Sequence, residues 1–107
     1  MAPPQPLPCY AVIFTSTQTD SQEGYAEMSA RMRELAEQQA GFLGAESFRS
    51  PDNRGVTISY WKDLPSIQAW KENPEHQTAQ RLGKQQWYLN YTIEIAKVET
   101  ACHFSRG

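Results

Sequence analysis

Long apolar runs are missing from this chain. No hydrophobic stretch approaches the roughly 20 residues that span a bilayer. The sequence opens MAPPQPLP, without the basic start and unbroken apolar core of a secretory signal. A cytoplasmic address with no membrane partner is expected. Positive charge is scarce as well: 10 Lys and Arg against 12 Asp and Glu leave a formal charge of −2. Such a chain lacks the clustered cations that nucleic acid demands. Cysteine is limited to Cys9 and Cys102, histidine to His76 and His103. There is no CxxC and no Cys/His cluster at zinc spacing, so no metal site is expected. In a reducing compartment both cysteines stay thiols. Neither GxGxxG nor a Walker loop occurs. What is there is 107 residues, 39% hydrophobic and 21% charged, which suits one globular domain and leaves no room for two.

Four of the seven prolines, Pro3, Pro4, Pro6 and Pro8, fall at the start. They mark residues 1–8 as an extended tail and residues 9–104 as the single domain. Cys9 to Thr17 (CYAVIFTST) is aromatic and β-branched and predicts a first strand covered on both faces. From Gln22 to Gln39, Tyr25, Met28, Met32, Leu35, Ala36 and Gln39 recur at helical spacing, which predicts an amphipathic helix closed by Gly41. Phe42 to Arg49 and Val56 to Trp61 predict two strands joined by the turn residues SPDNRG. Asp63 then caps a short helix carrying Leu64, Ile67 and Trp70. Asn73 with Pro74 restarts a helix that stops at Gly83. Trp87 to Glu99 alternates: Trp87, Leu89, Tyr91, Ile93 and Ile95 on one side, Tyr88, Asn90, Thr92, Glu94 and Ala96 on the other.

The order β-α-β-β-α-β, with the second helix broken in two, is the ferredoxin-like α+β arrangement. Its antiparallel sheet has the order 4-1-3-2 and both helices on one face. Strand one is apolar on both sides, so the bare face needs a cover. A second copy of the same sheet, in a homodimer, is the expected one. In this order the start of strand one meets the end of strand four, which brings Cys9 and Cys102 close as unbonded thiols.

The pattern Trp61-x8-Trp70-x5-His76-x6-Gly83-x3-Trp87-Tyr88, with the tracts GFLGAESFRS and GVTISYW before it, resembles the antibiotic biosynthesis monooxygenase family over residues 9–101. The resemblance implies a dimeric α+β barrel of two facing sheets, with a pocket in each subunit between sheet and helices. It also implies oxidation of an aromatic or quinol-type small molecule by molecular oxygen, without metal or flavin. An electron-rich substrate, once ionised, supplies the electron to oxygen itself; the protein binds the ring, favours its anion and excludes water. A haem-degrading branch pairs an Asn on strand one with a Trp and a later His. Here strand one has no Asn, and the position that would carry the His, counted from Trp70, is Gln80, so haem degradation ranks below the generic reading.

His76 is the candidate catalytic base: at the third position of a helix capped by Asn73, the dipole keeps the imidazole neutral. Its structural alternative is a packing or capping role at the helix junction. Trp70, Trp61, Trp87 and Tyr60 are the candidate substrate-binding residues, stacking on a planar ligand, although large aromatics at this spacing also build cores. Tyr88 and Tyr91 belong to the same aromatic-rich half. Asn90, Thr92 and Glu94 face either a partner sheet or, for Glu94, a catalytic task as a buried carboxylate. Arg81 and Lys84 are solvated helix-end charges or phenolate partners. The competing function is a non-catalytic dimeric module that holds a hydrophobic or aromatic small molecule or pairs with another protein. RNA binding on the same topology needs basic, aromatic strands, and VTISYW has no Lys or Arg.

Overall fold

The computed structural model describes residues 5–107. Residues 1–4 of the expected proline-rich tail lie outside the described residues. The elements are β1 (Cys9–Gln18), α1 (Tyr25–Glu37), β2 (Phe42–Arg49), β3 (Arg54–Trp61), α2 (Leu64–Lys71), α3 (Pro74–Leu82), a π-helical turn (Gly83–Trp87) and β4 (Tyr88–Val98). The four strands form one antiparallel sheet in the order β2-β3-β1-β4, which is the ferredoxin-like α+β order expected.

The helix starts follow side-chain chemistry. The Asp63 carboxylate accepts from Ser66 N at 2.8 Å and from Ser66 Oγ at 2.6 Å, which opens α2. Asn73 Oδ1 accepts from Glu75 N at 3.0 Å and His76 N at 3.1 Å, with Pro74 at the first helical position of α3. Helix α1 starts at Tyr25 rather than Gln22. Gln22 Nε2 donates instead to the carbonyls of Thr19 and Trp87, and Gly24 takes a left-handed φ of 82°. Gly83 does not stop the second helical region. Its φ and ψ are helical at −58° and −47°, and the chain runs on into the π turn. Trp87 is therefore the last residue of that turn and not the first of the strand. A Cβ on Gly83 would lie 2.9 Å from the Tyr88 ring, so this glycine admits a close approach.

Register sorts the sheet into two faces, because paired residues point the same way. One face carries Tyr10, Val12, Phe14, Ser16 and Gln18 of β1, Trp61, Ser59, Thr57 and Gly55 of β3, and Phe42, Ala45, Ser47 and Arg49 of β2. The helices pack on this face: Trp70 of α2 stacks on Trp61, and Arg33 of α1 lies over Phe42 and donates to the Ala45 carbonyl at 3.0 Å. Trp61, Ile67, Leu35, Ala36 and Trp87 are buried there, with Trp61 fully so. The other face carries Ala11, Ile13, Val56, Ile58, Tyr60 and Phe48, with Glu94 and Glu46 at its two sides, and no helix among the described residues packs on it. Phe48 there is 55% exposed. Cys9 pairs with Val98 and is buried, while Cys102 is exposed in the segment after β4; both are free thiols.

The alternation expected along β4 breaks at its start. Thr17 pairs with Asn90 but Gln18 pairs with Tyr88, which leaves Leu89 as an extra residue. That bulge turns Tyr88 to the helix side, where its ring and that of Tyr91 both meet Phe14, at 5.3 and 5.2 Å. Leu89 is left 70% exposed.

Candidate functional site

Between helices and sheet, two aromatic clusters bracket a floor of small side chains. At the first end Trp70 lies between Trp61, ring centroids 6.1 Å apart, and His76, at 4.2 Å and nearly parallel. Phe42 meets Trp61 edge-on at 5.2 Å. His76 Nδ1 is 3.0 Å from the Trp70 carbonyl oxygen. A carbonyl only accepts, so Nδ1 carries the hydrogen and Nε2 keeps its lone pair. Burial holds the pKa of His76 below the ordinary value, with the Trp70 hydrogen bond opposing weakly. The ring is therefore neutral near pH 7, with one tautomer fixed.

The floor is Ser59, Thr57 and Gly55 on β3 beside Ala45 and Ser47 on β2. Trp61 Nε1 donates to Ser59 Oγ at 3.0 Å, and Ser47 and Thr57 share a hydrogen bond of 2.8 Å. From Trp61 to Gly55 the floor runs about 20 Å. At the far end Phe14, Tyr25, Trp87, Tyr88 and Tyr91 form the second cluster, with Tyr25 edge-on to Trp87 at 5.5 Å. Trp87 Nε1 donates to the Glu23 carbonyl at 3.0 Å. Arg49 donates to the Tyr25 hydroxyl at 3.3 Å; its guanidinium lies over Gly55, where a Cβ would sit 3.1 Å away. Burial and then the Tyr25 hydroxyl push the Tyr88 phenol well above its usual pKa, which keeps it a neutral donor.

The sequence candidates thus separate. Trp61, Trp70 and His76 come together, Trp87 joins the other cluster, and Tyr60 lies on the opposite face of the sheet, paired with Ala11 and Gly44. Glu94 is exposed on that opposite face beside Ile13, so it is not a buried carboxylate in the single chain. Arg81, Lys84 and His103 are exposed. Nothing in the sequence marks Phe14, Tyr25 or Arg49 for this site. Phe14 reads as one more apolar residue of a covered strand, and only the pairing of β1 with β4 shows which aromatics meet it.

A groove of about 530 Å³ lies at the end of the sheet, lined on the open face by Thr15, Thr17, Val56, Asn90 and Thr92 and reaching Arg49 at the margin of the second cluster. No imidazole or carboxylate lines it. Among the described residues no group of three His, Cys, Asp or Glu side chains is placed to hold a metal ion. No helix among them is long and apolar enough to cross a membrane.

Residues 8–82 match the family model described as antibiotic biosynthesis monooxygenase. A protein of Bacillus subtilis (strain 168) called uncharacterized protein YqjZ is 46% identical over 96 residues, covering 90% of this chain and 83% of its own. Among solved structures, a putative antibiotic biosynthesis monooxygenase from Nitrosomonas europaea superposes with a TM-score of 0.73 at 19% identity, over 85% of this chain and 90% of that one. SnoaB, a cofactor-independent oxygenase from Streptomyces nogalater, superposes with a TM-score of 0.71 at 16% identity, over 92% and 99%. At such identities the two structures establish the shared fold.

Proposed function

The chain belongs to the antibiotic biosynthesis monooxygenase family, and we propose that it is a small cofactor-independent oxygenase. It oxidises an aromatic or quinol-type small molecule with O₂ between the two aromatic clusters on the helix side of the sheet. The observation that carries this reading is the stacked pair of Trp70 and His76. A neutral imidazole of fixed tautomer, held flat against an indole, is a base presented at the edge of an aromatic cluster. Trp70, sandwiched between Trp61 and His76, holds the imidazole in place, so the substrate ring meets this cluster at the imidazole and the ring edges, and Trp87 bounds the far cluster.

His76 Nε2 takes the phenolic proton, and the resulting anion gives one electron to O₂. The aryloxyl radical and superoxide couple at a ring carbon, and the proton held on His76 completes the hydroperoxide. Loss of the ring C–H proton with cleavage of the O–O bond releases water and leaves a quinone carbonyl. One oxygen atom enters the product and the other leaves as water, so no external reductant is consumed. The protein contributes the base, the stacking surface and the exclusion of bulk water.

The open face supports a homodimer. Ala11, Ile13, Val56, Ile58, Tyr60 and Phe48 form an apolar field on which no helix among the described residues packs. Two such sheets face to face would give the barrel, with Tyr60 in the interface and more than about 1,000 Å² buried in total. Sedimentation should return twice 12.2 kDa; a monomer at micromolar concentration contradicts the barrel. A cytoplasmic address belongs to the same proposal and fits two free thiols.

Oxygen uptake on adding hydroquinones and naphthols to the purified protein tests the activity. The proposal expects uptake above buffer that falls in His76→Gln. No stimulation across a broad panel counts against it. The aromatic clusters alone support a second reading, a non-catalytic module that holds a hydrophobic ligand. It is distinguished by a co-purifying small molecule in native mass spectrometry together with absent oxygen uptake.

A further inference from the structure

Among the described residues two buried polar atoms at the β1–α1 corner have no hydrogen-bond partner: Gln18 Nε2 and Gln22 Oε1. One is a donor and the other an acceptor, and neither bonds to the other. Buried polar groups are paired in the great majority of cases, so two orphans at one corner require an explanation. Gln18 is 6% exposed. Its side chain lies on the helix side with Phe14 and Ser16, in register with Tyr88. Gln22 cannot relieve its orphan by turning its amide over. Its Nε2 already donates to the Thr19 carbonyl at 2.8 Å and the Trp87 carbonyl at 2.9 Å, and its oxygen would repel both.

We propose that Gln18 and Gln22 form a hydrogen-bonding subsite for a hydroxyl group on a ring held by the Phe14, Tyr25 and Tyr88 cluster. A hydroxyl accepts one hydrogen bond and donates one, which complements the two orphans. The surroundings are aromatic: Tyr88 meets Phe14 at 5.3 Å and Tyr25 at 6.2 Å, and the Trp87 carbonyl anchors Gln22. The backbone that presents Trp87 and Tyr88 is the π-helical turn, an irregularity found disproportionately at functional sites. The inference rests on the reading of the helix side of the sheet as a ligand site. It adds a second hydroxyl site at the end opposite His76, roughly 20 Å along the floor, which takes a hydroxyl other than the one that His76 deprotonates.

The test compares 1-naphthol with 1-methylnaphthalene, close in shape and differing in the hydroxyl. Binding to the full chain is followed by nuclear magnetic resonance, through the side-chain amide signals of Gln18 and Gln22. The proposal expects 1-naphthol to bind more tightly and to shift both side-chain amides. Gln18→Met should weaken 1-naphthol by roughly 2- to 10-fold, the worth of one neutral hydrogen bond, and leave 1-methylnaphthalene unchanged. The same substitution should leave the melting temperature equal or raise it, since it replaces an orphaned polar group by an apolar one of similar shape. Stability gained while hydroxyl affinity is lost is a combination that a purely structural glutamine would not give. Equal binding of both probes with unmoved glutamine signals overturns the subsite and leaves the helix-side ligand site standing. Failure of both probes to bind overturns the subsite and the ligand-site reading together. A fall in melting temperature for Gln18→Met with unchanged 1-naphthol affinity identifies a water-filled structural corner and also overturns it.

Discussion

Asn73 holds the junction on which His76 depends, and Asn73→Ala isolates its contribution. The Oδ1 atom takes two backbone N–H groups, those of Glu75 and His76, at the free start of α3. Alanine leaves both without a side-chain acceptor. Glu75 is exposed and His76 half-buried, so water replaces part of the loss. The cost is therefore put at about 1 kcal/mol, within the roughly 0.5–2 kcal/mol span of N-cap deletions. For a domain near this size that is a fall in Tm of roughly 4–8 °C. The measurement is thermal unfolding by circular dichroism at one fixed protein concentration, so that any association equilibrium is held constant. Asn73→Asp and Asn73→Ser supply the control, since both side chains cap and both should recover most of the loss. Because the His76 ring is also tied to the Trp70 carbonyl across the same junction, turnover should drop in Asn73→Ala and return in Asn73→Ser. An unchanged Tm in Asn73→Ala, or a loss that neither capping residue restores, refutes the reasoning.

Two further outcomes follow from local geometry and charge. Gly41→Ala should destabilise the fold by more than about 2 kcal/mol in urea unfolding, because φ there is +87° and the new Cβ meets Ser66 Oγ and lies 2.7 Å from Ser66 Cβ. A neutral effect would mean that the α1–β2 connection is free to move. His76 has a folded pKa held below its unfolded value by burial. The unfolded chain therefore binds the proton first as pH falls, and stability should decline as pH drops through the range just below about 6.5. His76→Gln should flatten that part of the profile relative to the parent, and identical urea midpoints against pH for the two chains would contradict it.

The fold was legible where one signal dominates. Period two in β3 and β4, the Asp63 and Asn73 caps and the turn residues between β2 and β3 each point to the element found. It was illegible where tertiary contacts decide. Gly83 reads as a helix stop, yet it is there to let the Tyr88 ring approach. The Leu89 bulge has no sequence signature, and it alone moves Tyr88 from the polar side of the strand to the helix side. For the same reason half of the candidate site carries no sequence signal. His76, Trp70 and Trp61 stand out as rare residue types. Gln18 and Gln22 sit in the polar stretch TQTDSQEG and look like loop, and their unpaired atoms exist only once Trp87 and Tyr88 are folded against them. Tyr60 shows the converse. It is as aromatic as its neighbour Trp61, and the pleat places it on the face away from the helices.

The proposed reaction puts one atom of O₂ into an aromatic substrate and releases the other as water. Turnover of a reactive hydroquinone or naphthol under ¹⁸O₂, with the product analysed by mass spectrometry, tests it most directly. The expected result is one labelled oxygen in each product molecule, labelled water, and loss of that label incorporation in His76→Gln. A product without label, with both atoms of O₂ recovered as hydrogen peroxide, would contradict it.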